Sequence, residues 1–93
     1  MMSKGKDKRY KTVKILIDNG LLQTLSDVFD TIPRSTVAKD FGTNFPRFDR
    51  LLNNVEQFRM KEIYTLASIF DVEEGKVLQL VHNQYLTKKK GRK

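Results

Sequence analysis

Three residues between positions 33 and 46 leave this chain few options: Pro33, Gly42 and Pro46. Pro33 bars Ile32 from the α region, so a helix before it must end there, while proline itself suits the first turn of the helix that follows. Gly42 offers a left-handed residue at the end of that helix. Pro46 is tolerated in the first turn of another, where amides have no intrahelical partner. The punctuation predicts two short helices joined by a glycine turn. Val37, Ala38 and Phe41 form the buried side of the first, which is about two turns long. Thr43 or Asn44 caps the second, whose apolar stripe is Phe48, Leu51 and Leu52, and Asn53-Asn54 offers a residue that tolerates the left-handed conformation needed to stop it.

Around this unit the apolar residues keep helical spacing. Leu21, Leu22, Leu25, Val28, Phe29 and Ile32 trace one face of an amphipathic helix, with Asp18 or Asn19 as its cap. Met60, Ile63, Leu66, Ala67, Ile69 and Phe70 form the broadest apolar surface and predict the central helix of the core. Val77, Leu78, Val81 and Tyr85 mark a fifth helix, with Glu73 and Glu74 at its positive end. Residues 12–17, TVKILI, favour a short strand by their β-branched side chains and partial alternation, with a helical turn as the alternative. The expected fold is all-α, five helices within residues 15–87.

A chain of 93 residues has room for one core. It holds no cysteine and a single histidine, His82, which excludes disulfides, thiolate chemistry and cysteine zinc sites and leaves His82 as an ordinary polar residue. Ser35, Ser68 and the carboxylates form no nucleophile or acid–base arrangement, so no enzyme activity, cofactor or metal is expected. No run approaches the roughly 18 apolar residues of a membrane span. The opening MMSKGKDKRYKTVKILI lacks a secretory h-region, and a cytoplasmic protein is the expectation.

The net charge of +7 is unevenly placed. Residues 1–14 hold six cations against Asp7 alone, residues 88–93 hold five with no acid, and the stretch between has seven cations and ten acids. Two flexible basic tails, an N-terminal arm over 1–14 and a C-terminal one over 88–93, therefore flank a slightly acidic domain. Such tails are the electrostatic footprint of a nucleic-acid binder or, alternatively, solvated ends.

The run RSTVAKDFGTNFPRFDRLLN, residues 34–53, resembles the helix-turn-helix of bacterial and phage repressors of the lambda repressor and Cro type. Val37, Ala38, Phe41, Gly42, Phe48 and Leu51 occupy the places that hold the two helices together in that family. The likeness continues through LLNNV and IYTLASIFDV, covering about residues 20–82, with Thr43, Asp71 and Glu74 as departures. It implies a lambda-repressor-like domain that acts as a transcriptional regulator of double-stranded DNA, commonly as a homodimer on near-palindromic sites. Carried over position by position, Arg34 matches a residue touching the DNA backbone. Asn44, Phe45, Pro46 and Arg47 match the first turn of the recognition helix, and Asn53 matches an amide that reaches a phosphate.

Arg50, one turn after Arg47, is exposed by periodicity and within reach of a phosphate or a base. Phe45 and Pro46 cannot read a hydrogen-bond donor or acceptor; Phe45 suits a thymine methyl or, alternatively, a core or interface contact. Asp49 accepts from a cytosine amino group, aligns Arg47 and Arg50, or repels phosphate; aligning the arginines is favoured, because pairing removes much of the repulsion. These same residues keep a second reading open, a protein-interaction module of this fold, such as an antitoxin-like subunit, with DNA contact secondary or absent.

Overall fold

A computed structural model describes residues 7–92, with side chains described for residues 7–87. Five α-helices follow in chain order: α1 (Arg9–Asp18), α2 (Arg34–Phe41), α3 (Phe45–Asn53), α4 (Met60–Phe70) and α5 (Glu74–Arg92). Two 3-10 helices, Leu25–Asp30 and Val55–Gln57, complete them, and no strand occurs among the described residues. Helix α4 lies at the centre, as its stripe predicts. Ile63, Leu66, Ala67, Ile69 and Phe70 are buried, and α1, α2 and α5 pack on it.

The expected strand at residues 12–17 is instead part of α1. Tyr10, Val13 and Ile17 recur every three to four residues and all are buried. That spacing puts them on one helical face against α4, and the packing overrides the β preference of isolated valines and isoleucines. Helix α1 also absorbs residues 9–14 of the expected basic arm into the globule. At the other end α5 continues to Arg92, so the expected flexible tail over residues 88–93 is helical through that point. Residues 1–6 and the side chains of 88–93 lie outside the described residues.

The second correction concerns residues 21–32. Helix α1 ends at Asp18, and Gly20 turns the chain just after it with a φ of +69° that suits glycine. Asp18 and Asn19 thus stand at the close of one helix and do not cap another; Leu21 is exposed. Only Leu25–Asp30 coils, as a 3-10 helix that starts where the Asp27 carboxylate accepts from the backbone amides of Gln23 (3.0 Å) and Thr24 (3.0 Å). Three residues per 3-10 turn align Leu25 with Val28, and both are fully buried.

Helix α5 fastens this segment. The buried Gln84 side chain accepts from the Ser26 amide (2.6 Å) and donates to the Leu52 carbonyl (2.7 Å), while Asn83 donates to the Gln23 carbonyl (2.8 Å). With Gln84 turned inward, the core side of α5 is Val77, Leu80 and Gln84. Of the expected stripe Val77 is buried and Val81 packs half-buried on the core, while Leu78 and Tyr85 are exposed. Met60, expected in the core, is also exposed. No buried side-chain nitrogen or oxygen among the described residues lacks a partner.

Candidate nucleic-acid interface

Helices α2 and α3 form as the proline and glycine spacing predicts. Pro33 precedes α2, and Gly42 closes it with φ +94°, its amide donating to the Ala38 and Lys39 carbonyls. Ala38 is buried, and its small side chain lets α2 approach its neighbours. Asn44 then caps α3, its side-chain oxygen accepting from the Arg47 amide at 2.9 Å. The end of α3 differs from expectation: Asn54 has φ −139°, not left-handed, because a 3-10 turn at Val55–Gln57 carries the chain on and buries Val55.

Phe48, Leu51 and Leu52 seat α3 on the core. At about 100° per residue, the direction opposite them falls among Pro46, Arg50 and Asn53, and all three are exposed. Phe45 and Asp49 lie on the flank toward α2, and Arg47 on the flank toward α4. Among the expected contact residues, the fold therefore brings Pro46, Arg50 and Asn53 together as an outer face and divides the rest.

Asp49 does not align Arg47 and Arg50. Its carboxylate takes the Arg34 guanidinium of α2 in a charged hydrogen bond. The reason is angular: Asp49 and Arg47 project about 160° apart around the helix, and adjacent residues such as Asp49 and Arg50 do not face each other. Arg34 is further held over the Phe29 ring, 5.7 Å from its centroid, and that ring stands edge-on to Phe48 at 6.0 Å. A continuous stack, Phe48–Phe29–Arg34–Asp49, thus runs from the core to the surface.

On the opposite flank Arg47 Nη2 lies 3.5 Å from Glu62 Oε2, while Glu62 Oε1 accepts from the Arg59 amide at 2.9 Å and so caps α4. Sequence reasoning missed Phe29 and Glu62 as supports for the two arginines, since their partners are not neighbours in the chain. It also missed a shallow cleft beside the turn, where Ser35, Lys39 and Thr43 join Asn44 and Phe45. Ser35 and Lys39 stand four apart on α2, the one signal that would have found them. Phe45 remains 45% exposed, so it is not a core aromatic.

Elsewhere Arg9, Lys14 and Lys76 have carboxylate partners. Arg9 makes two side-chain bonds to Asp7, whose carboxyl is lowered to about 2 by them and by the Arg9 backbone amide. Asp18 accepts from Lys14 (2.8 Å) and Lys76 (3.1 Å), and both contacts lower its pKa. Tyr10 donates to Asp40 at 2.7 Å; burial, then this bond, raises its phenol above the usual range. No group of histidine and carboxylate side chains suited to a metal occurs among the described residues, and none of their helices is long and apolar enough to cross a membrane. Comparison with family models, with curated proteins and with solved structures finds no match.

Proposed function

We propose that this chain binds double-stranded DNA in a sequence-specific manner, as a small transcriptional regulator of bacterial, phage or mobile-element type with a lambda-repressor-like helix-turn-helix, working at the nucleoid. The reading is carried by the outer face of α3. Pro46, Arg50 and Asn53 project together from a helix anchored on its other side, and the Arg50 side chain makes no hydrogen bond or ion pair among the described residues. An α-helix fits the major groove of B-form DNA, with its first turns toward base edges. Arg50 supplies a fork for guanine or phosphate oxygens, and Asn53 an amide for phosphate. The Arg34–Asp49 pair, stacked on Phe29, sets the flank toward α2, where Arg34 meets the backbone by sharing its remaining donors. The basic ends add affinity that ignores sequence.

Selecting bound duplexes from a random pool with the whole chain tests this. Enrichment of a defined motif is expected, and its loss in Arg50→Ala; a pool that stays random at low salt overturns the reading. The protein-interaction module is then the alternative, favoured by one observation: exposed Phe45 beside the cleft of Ser35, Lys39 and Thr43, an aromatic anchor next to polar groups.

A further inference from the structure

Arg47 and Arg50 leave the same helix and meet different surroundings. Arg50 makes no side-chain hydrogen bond or ion pair among the described residues, whereas Arg47 Nη2 lies 3.5 Å from Glu62 Oε2 of α4. The start of α4 uses only the other oxygen of that carboxylate. Glu62 Oε1 accepts from the Arg59 amide at 2.9 Å while the Glu62 amide donates to the Arg59 carbonyl, also at 2.9 Å. This reciprocal cap fixes the carboxylate in place, and the Glu62 side chain is only 16% exposed against 47% for Arg47. The acid is the stationary member of the pair, and the guanidinium is the one free to leave.

We propose that Glu62 is a specificity-determining residue that acts through Arg47: it holds the guanidinium back from phosphates, which carry no sequence information, and leaves it for a site that fits the held orientation. The inference rests on the double-stranded DNA reading above. Random duplex attracts a protein almost wholly through its phosphates. Of the three arginines on and beside α3, Arg34 has Asp49 and Arg47 has Glu62, so these three cations and two carboxylates leave one net positive charge, at Arg50. A phosphate arriving on either flank must compete with a carboxylate already there. The two flanks differ in firmness. Arg34 is held by Asp49 and by the Phe29 ring together, whereas Arg47 has Glu62 alone, at the long end of hydrogen-bond distance and with its guanidinium half in solvent. Glu62 therefore biases Arg47 without locking it. The dipole of α4 also favours an acid in its first turn, and a cap alone would be served as well by glutamine; the charge facing Arg47 is what remains to be explained.

Glu62→Gln separates the charge from the cap, because glutamine fills the same place in a capping box, and its Tm should match that of the wild type. The test is titration of the whole chain, by fluorescence anisotropy, against the duplex selected from the random pool and against a scrambled duplex at several salt concentrations. With the scrambled duplex, Glu62→Gln should bind about threefold more tightly at low salt, as suits a weak exposed pair, and log K should fall more steeply with log salt by about 0.9, the increment of one added phosphate contact. With the selected duplex, affinity should stay within about twofold, so discrimination falls. In an Arg47→Ala background the same substitution should change neither the affinity nor the slope. An unchanged slope overturns the proposal, and so does a rise that persists without Arg47, which would make Glu62 a cap and a general counter-charge. A pool that yields no motif overturns the DNA reading and this inference together, whereas a defined motif with indifferent Glu62→Gln overturns this inference alone.

Discussion

Helices α1 and α3 are alike in plan and differ in how their outward cations are partnered. Each turns three apolar residues inward, Tyr10, Val13 and Ile17 in one and Phe48, Leu51 and Leu52 in the other, and each carries cations outside. In α1 two of the three cations have carboxylates: Arg9 is held by Asp7, and Lys14 shares Asp18 with Lys76 of α5, while Lys11 is exposed with no acid on it among the described residues. In α3 the carboxylates sit to either side, Asp49 on Arg34 and Glu62 near Arg47, and the middle of the face is left to Arg50. The pattern of a basic amphipathic helix therefore does not by itself fix which of its cations are paired. What separates the two is where the fold's own acids fall relative to the outward direction.

The sharpest test of that comparison separates the two faces of α3. Phe48→Ala should cost about 3–5 kcal/mol of unfolding free energy, read by urea denaturation, since it empties a fully buried site touching Phe29 and Phe41. Arg50→Ala should leave stability within about 0.5 kcal/mol while costing about 1–3 kcal/mol in binding to the selected duplex. If Arg50→Ala destabilises the fold instead, α3 is no more an open surface than α1.

A smaller effect probes how α1 is tied to α2. Tyr10→Phe removes the hydrogen bond to Asp40 and should cost about 1 kcal/mol near neutral pH. Because folding raises the phenol's pKa, the stability it contributes is complete below the unfolded value, near about 10, and is lost as pH rises above it. Thermal melts at pH 8 and pH 11 should therefore show the gap between wild type and Tyr10→Phe closing at the higher pH. A constant gap would detach the phenol from the linkage.

The least effect belongs to the outer face of α1. Lys14 and Lys76 lower the Asp18 pKa, so its contribution is present above the ordinary carboxylate range and disappears as pH falls through the folded value. Asp18→Asn should lower Tm slightly at pH 7, and the difference should vanish on acidification below that range. At neutral pH, raising salt should shrink it too, as these groups are exposed. A difference that persists in acid would mean the side chain acts through packing and not charge.

Much of the candidate site is legible in the sequence. Pro33, Gly42, Asn44 and Pro46 act on their own or adjacent dihedrals and on amides within three residues, so α2, the turn and the start of α3 follow from the sequence alone, as does the burial of Phe48, Leu51 and Leu52. Asp71 shows the limit of such rules, holding the left-handed φ of +59° where the repressor pattern has glycine. What the sequence could not determine depends on partners far along the chain. Residues 12–17 become helical because α4 receives Val13 and Ile17. Residues 21–32 shorten to a 3-10 helix that Asn83 and Gln84 fasten from about 60 residues away. Asp49 pairs with Arg34 because α2 packs on that flank, and α5 turns Gln84 inward and Leu78 outward because Ser26 and Leu52 offer a donor and an acceptor. Backbone restriction is local and is written in neighbours; the choice among competing faces and charge partners is a difference between contact energies, and it exists only once the helices are packed.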